Sequence, residues 1–182
     1  MDATEEAVVR VVVTADTHLR RDWPNRRLPH RAETWLARAD VILHAGDITQ
    51  AEHLELLAGF APVHAVLGNN DRELVGHLPE TLELTLAGIR IGMIHDSGPA
   101  RGRAGRLHAR FPTADLVVFG HSHIPVDEEG VAGQDLFNPG SPTERRRMPH
   151  PTIGVLELDD GRVRSSRIEV VDATAPGARA ME

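Results

Sequence analysis

The run Val8-Val9-Arg10-Val11-Val12-Val13-Thr14-Ala15-Asp16-Thr17-His18 decides how the chain is read, because a β-branched apolar segment stops abruptly at polar, chemically competent side chains. Too short for a helix and too uniformly apolar for a half-exposed strand, it reads as a strand buried on both faces. Two later runs repeat the pattern. Residues 41–45 lead into Gly46-Asp47, and residues 63–67 lead into Gly68-Asn69-Asn70-Asp71. Between them, residues 31–39 and 51–60 carry helical spacing. The result is a βαβαβ opening, which gathers functional groups at the C-terminal edge of a parallel sheet.

Beyond the short segment 72–77 and Pro79 the pattern changes. Residues 81–86 and 89–95 flank Ala87-Gly88 as a hairpin, which brings antiparallel pairing into a mixed arrangement. Residues 101–111 read as one more helix and 115–119 as a strand. The last third reads as all β, with 131–132, 152–158, an Asp160-Gly161 turn and 162–171. Residues 172–182 have the composition of a loose tail. With no internal repeat, 1–182 is expected to be a single domain whose core spans about 8–171.

Composition removes several chemistries. Among 182 residues there is no Cys, and all 20 basic residues are Arg. Thiol nucleophiles, thiolate zinc sites, Schiff bases and the phosphate-binding lysine loop are therefore excluded. A formal charge of −7 argues against a general nucleic-acid binder. Local Arg clusters at 20–31, 101–110 and 145–147 are read first as solvated faces. No apolar run is long enough to span a membrane, and the segment 7–13 is too short and too charged at its start to be a signal peptide. A cytoplasmic location is the expectation.

The ends of the apolar runs hold the chemistry. Asp16 and His18, Asp47, Asn69, His95, and His121 with His123 each close a predicted strand. Gly-His-x-His is expected by chance only about 0.06 times in a chain of this composition, and the ordered set is far more specific. If these ends remain extended, residues i and i+2 lie about 6.5 Å apart on one side, so that Asp16 with His18 and His121 with His123 face one cavity. Carboxylates, imidazoles and an amide favour Mn²⁺, Fe or Zn²⁺ over Ca²⁺. Two divalent cations would outweigh the charge of Asp16 and Asp47, so an anionic substrate is expected.

With these motifs in this order, the sequence resembles the calcineurin-like metallophosphoesterase superfamily, in particular its small single-domain bacterial and archaeal phosphodiesterases, from about residue 8 to residue 171. The resemblance implies a four-layer αββα sandwich with mixed β-sheets and a dinuclear site at one edge. It further implies that Asp16, His18, Asp47 and His123 hold one metal, and that Asp47, Asn69, His95 and His121 hold the other, with Asp47 bridging. The implied cofactor is a pair of divalent ions, Mn²⁺ first, with Fe, Zn²⁺ or Ni²⁺ as alternatives. The implied reaction is hydrolysis of a small anionic phosphoester by a metal-bridging hydroxide, with Asn69 helping to neutralise the phosphoryl oxygens. Asn138-Pro139-Gly140-Ser141 also matches the family, as a turn.

Two positions depart from that pattern. Asn70 stands where many superfamily phosphatases carry a proton-donating His, which points to phosphodiesters or activated esters over plain monoesters. Asp71 is left as a weak candidate acid or the cap of the following turn. Asp96 replaces the usual Gly after the ligand His, either narrowing the phosphate approach or partnering an imidazole. Of the other histidines, His44 and His64 are read as core or structural, and His30, His53, His77, His108 and His150 as surface. Ser122 lacks a nucleophile-elbow setting. Trp23 and Trp35 are read as packing. The rival function is a non-catalytic scaffold of the same fold, as in proteins resembling the retromer subunit, followed by a phosphomonoesterase or a nuclease of the superfamily. Oligomeric state is left open, with a homo-oligomer among the options.

Overall fold

A computed structural model describes residues 8–20 and 27–172. Trp23, part of the first Arg cluster and the tail from residue 173 lie outside them. Strand β1 (Val9–Thr14) is followed by α1 (His30–Leu36), β2 (Val41–His44), α2 (Ala51–Ala58) and β3 (Val63–Ala65). After a 3₁₀ turn at Arg72–Leu74 come β4 (Thr81–Leu86), β5 (Ile89–Ile94), α3 (Arg103–Arg110) and β6 (Leu116–Val118). The chain ends with β7 (Val126–Glu129), β8 (Asp135–Asn138), β9 (Thr152–Asp159) and β10 (Arg162–Val170).

The strands form two five-stranded mixed sheets, ordered β10-β9-β1-β2-β3 and β4-β5-β6-β8-β7. Within them β1-β2-β3 and β5-β6-β8 run parallel. Period-two alternation divides each strand between two cores. Val11 and Val13 face the second sheet and pack with Leu43, Ile91, Met93, Val118, Phe137 and Leu156. Val12, Ile42, Ile153 and Val155 face outward and are covered by Ala32 and Leu36 of α1 and Leu57 of α2. Leu107 of α3 and the adjacent Phe111 cover Val117 and Leu136 on the far side. The four layers are the expected αββα sandwich. Each large core side chain buried in this way stabilises the fold by about 1.5–3 kcal/mol.

The β4–β5 and β9–β10 turns take the mirror-image form that suits twisted strands, with positive φ at Ala87 and Gly88 and at Asp160 and Gly161. The turns also meet, since Gly161 N–H donates to Ala87 O at 2.7 Å. This contact lies at the N-terminal ends of β1 and β5, and it ties the sheets together at the edge opposite the polar strand ends.

Three expectations need correction. The anticipated strand at 131–132 is the turn of a hairpin between β7 and β8, where Ala132 and Gly133 have φ of +57° and +76°. The sequence of β7, Val-Asp-Glu-Glu, hides it, because an edge strand exposed along three of its four residues has no apolar alternation to read. The first two helices end earlier than expected. α1 gives way to i→i−3 bonds from Arg38 to Trp35 and from Ala39 to Leu36, and α2 closes at Gly59. His53, expected on the surface, is only 5% exposed. It lies one helical turn from Leu57 on the buried face of α2.

That burial has a measurable consequence. His53 Nε2 has no hydrogen-bond partner, and burial lowers its pKa from 6.5 to about 4. The folded protein keeps this imidazole neutral while the unfolded chain accepts a proton, so its contribution to stability is complete above pH 6.5 and is lost as pH falls toward 4. Between pH 7 and 4.5 the loss is about 2–3 kcal/mol. Urea unfolding of wild type and His53→Leu at both pH values checks this, because the variant should lose less stability on acidification by that amount. Equal losses would show that another group carries the slope. Among the described residues no helix is long and apolar enough to cross a membrane.

Candidate metal centre

The polar strand ends converge between the sheets, but not as extended chain. β1 stops at Thr14, β2 at His44, β5 at Ile94 and β6 at Val118, so the chemistry lies in the loops just beyond. There Asp16, His18, Asp47, His121 and His123 all have positive φ, between +43° and +67°. The expected i, i+2 strand geometry is therefore replaced by alternating left-handed turns. Each left-handed non-glycine residue costs about 1–3 kcal/mol and persists only where its surroundings enforce it.

The enforcing contacts come from residues that the sequence reading assigned other parts. Asp71, 1% exposed, takes backbone N–H bonds from Asp47 (2.9 Å) and Gly68 (2.7 Å) on Oδ2 and from Thr49 (2.6 Å) on Oδ1. It does not cap the following turn with its side chain. Its carboxylate is committed to shaping the 46–49 loop. Asn70 donates from its backbone N and its Nδ2 to the two oxygens of Asp47, at 2.8 and 2.7 Å. Thus the residue standing in the position of a proton donor instead clamps a carboxylate. The Asn138–Ser141 turn is a brace: Asn138 Nδ2 donates to Gly120 O (2.9 Å), Ser141 Oγ to Asp16 O (2.8 Å) and Thr143 Oγ1 to Thr17 O (2.5 Å). Fully buried His44 meets Thr17 Oγ1 at 3.1 Å from beneath. Burial pushes its pKa well down, with His53 and His95 adding in the same direction.

Two histidines are oriented by backbone carbonyls. His95 Nδ1–H donates to Ala45 O at 2.7 Å, and His123 Nδ1–H donates to Glu144 O at 2.5 Å. Each Nε2 lone pair is thereby turned into the cavity, the tautomer a metal-binding imidazole adopts. His123 Nε2 lies 3.4 Å from Asp16 Oδ1 and 3.3 Å from His18 Nε2. His95 Nε2 lies 3.5 Å from Asp47 Oδ2, 3.9 Å from Asp16 Oδ1 and 3.1 Å from Asn69 Oδ1. Asp16 is fully buried, and neither of its oxygens has a hydrogen-bond donor.

Acceptors converging on acceptors make a place that a cation would relieve. Donors that share one ion at about 2.1 Å lie about 3.0–4.2 Å apart, and the observed separations fall in that range. Among the described residues two groups bring one ligand atom from each member within 4.8 Å of the others, Asp16–His18–His123 and Asp16–Asp47–His95. Asp16 belongs to both, whereas the family resemblance implied Asp47 as the shared residue. Asp47 also spans the halves, since its Oδ2 is 3.5 Å from Nε2 of both His18 and His95.

The titration behaviour shows the same field. Burial alone would raise Asp47, but His95 and the two donors of Asn70 outweigh it and hold the carboxyl well below its usual range. Burial works to lower His95, yet Asp47, Asp16 and the Ala45 carbonyl prevail and raise it. A proton on Nε2 there sits where a cation would. For His18 burial wins over Asp47, Asp16 and Glu144, and its pKa falls.

Asn69 and His121 stand at the rim rather than inside. His121 Nδ1 is 3.0 Å from Asn69 Oδ1, its Nε2 is 4.0 Å from Asp96 Oδ2, and its side chain is 44% exposed. Asp96 also accepts Gly98 N–H at 2.7 Å, which ties its side chain to its own loop. Glu144, which the sequence reading passed over, brings Oε2 to 3.7 Å from His18 Nε2. Its only signal was its position three residues after Ser141.

A two-sheet α/β sandwich with paired carboxylate–imidazole clusters at one edge is the frame of a metal-dependent phosphoesterase. The chain belongs to the calcineurin-like phosphoesterase superfamily, whose domain model matches residues 9–161. It is 32% identical over 173 residues to a probable metallophosphoesterase of Methanothermobacter thermautotrophicus, covering 93% of this chain and 95% of that one. A probable metallophosphoesterase of Methanocaldococcus jannaschii is 35% identical over 153 residues, covering 81% and 75%. Among solved structures, protein TM1076 of Thermotoga maritima superposes with a TM-score of 0.69 at 30% identity, covering 90% of this chain and 99% of that one. Entamoeba histolytica Vps29 complexed with Zn²⁺ shares the fold with a TM-score of 0.72 at 24% identity, covering 90% and 99%.

Proposed function

We propose that the chain is a dinuclear metal-dependent phosphodiesterase acting on small anionic phosphoesters, with Mn²⁺ as the preferred ion. The observation that carries this reading is Asp16, a buried carboxylate without a donor, ringed by three imidazole Nε2 atoms within 3.9 Å. Asp16, His18, Asp47 and His123 would hold one ion, and Asp47, Asn69 and His95, with His121 from the rim, the other. Ions bound there would supply Lewis-acid stabilisation of phosphoryl charge and acidify a water molecule. The chain's own part is positional: Asn70 and Asp71 fix Asp47, the carbonyls of Ala45 and Glu144 aim His95 and His123, and Asn69 presents its amide at the rim. The diester preference rests on Asn70, which cannot donate a proton to a poor leaving group.

The deciding experiment is a metal-by-substrate matrix with bis-p-nitrophenyl phosphate, p-nitrophenyl phosphate and an unactivated alkyl monoester such as glycerol phosphate. Mn²⁺-dependent hydrolysis favouring the diester is expected. Strong monoesterase activity without diesterase activity would sink the diesterase reading. Protein that binds no metal and hydrolyses neither ester would restore the scaffold alternative, which rests on fold likeness to Vps29. A companion variant, Asn70→His, should raise the ratio of kcat/KM for the alkyl monoester to that for the diester by about tenfold or more by supplying a proton donor, while absolute rates fall through loss of the clamp on Asp47. An unchanged ratio would mean that leaving-group protonation does not depend on this position.

A further inference from the structure

We propose that Glu144 is an eighth metal-ligating residue, its carboxylate joining Asp16, His18, Asp47 and His123 around one cation; the inference rests on the dinuclear reading above. Three observations lead to it. The backbone of Glu144 is fixed independently of its side chain, because Ser141 Oγ accepts Glu144 N–H at 2.9 Å and Glu144 O accepts His123 Nδ1–H. Glu144 Oε2 is 3.7 Å from His18 Nε2, inside the separation expected of two donors on one ion. Finally, the side chain is 34% exposed, whereas those of Asp16, His18 and His123 are 9% exposed or less. The carboxylate therefore closes the cluster from the solvent side.

This changes the charge of the site. A third carboxylate beside Asp16 and Asp47 lowers the net charge of the loaded site by one, whatever else is bound there. A phosphodiester carries a single negative charge and a phosphomonoester close to two at neutral pH. Lowering the positive charge by one weakens the attraction for a dianion more than that for a monoanion, and so favours the diester. Glu144 thus acts as a specificity element in addition to holding metal.

The test is calorimetric titration of metal-free wild type and Glu144→Gln with Mn²⁺, followed by kcat/KM for the two nitrophenyl esters. Because the carbonyl that holds His123 survives the substitution, the metal-free Tm should stay within about 2 °C of wild type. One of two binding steps should weaken at least about tenfold, with the other within twofold, and the diester preference should narrow. Glu144→Ala should behave alike. Two unchanged binding steps would overturn the role of Glu144 while leaving the dinuclear reading intact, as would a variant that only loses Tm. Wild type that binds no Mn²⁺ would remove both.

Discussion

Asp16→Asn and Asp47→Asn are each expected to lower Mn²⁺-dependent hydrolysis of bis-p-nitrophenyl phosphate on the order of a thousandfold or more. Both carboxylates span the two halves of the cluster, so either change weakens both candidate metal-holding groups. Melting curves with and without Mn²⁺ separate this from a folding defect. Wild type should gain Tm on adding the metal, since an ion that binds only the folded state stabilises it by mass action. Each variant should lose most of that gain while its metal-free Tm stays within a few degrees of wild type. Neutralising a carboxylate in a crowd of acceptors removes repulsion along with any attraction to a protonated His95. Activity that survives both substitutions would place the chemistry elsewhere.

Gly68→Ala should be almost as damaging, for a steric reason. A Cβ on Gly68 would overlap the backbone N and the carboxylate of Asp47, with Cγ at 2.8 Å. The obstacle is backbone and a functional group, not the end of a flexible chain, so Asp47 or the 68–71 loop must move. Such overpacking costs about 1–3 kcal/mol. Moving Asp47 by about 1 Å should cost around a hundredfold in kcat/KM. Gly105→Ala, in α3 with open space around it, controls for the general effect of a methyl group. A Gly68→Ala protein with wild-type kinetics would mean that this loop tolerates displacement and that Asp47 is less constrained than its contacts indicate.

The sandwich was legible because strands buried on both faces have an unmistakable composition. β1 and β2 needed nothing beyond their runs of Val, Ile and Leu, and the Ala87-Gly88 and Asp160-Gly161 turns announced their hairpins. The β7–β8 hairpin was not legible, because Asp127, Glu128 and Glu129 give an edge strand the look of a loop. That Asp16, His18, Asp47, His95 and His123 would gather in one place was legible by type and order, since donor side chains stand at successive strand ends. Their conformation was hidden. A left-handed turn at His121 or His123 leaves no local signature when the enforcing bond comes from Asn138, well over a dozen residues away. Asp71 and Asn70 were visible as neighbours of Asn69, yet their task, shaping and clamping Asp47, depends on a contact across more than twenty positions. His53 was misplaced for a similar reason: a helix as short as α2 gives too few residues to tell its buried face from its wet one.

The contact between the two hairpin turns acquires a second meaning once the metal centre is in view. Gly161 and Ala87 join the sheets at one end, and the opposite end has carboxylates and imidazole lone pairs facing one another from both sheets. The sandwich is a clip with its hinge at the turns and its jaws at the site. Cations between the jaws would serve as a clasp as well as a reagent, drawing Asp16 and Asp47 of one sheet onto His95 and His123 of the other. How His95 and His123 stand against Asp16 and Asp47 is then set partly by how the hinge seats, through some of the most distant residues in the fold.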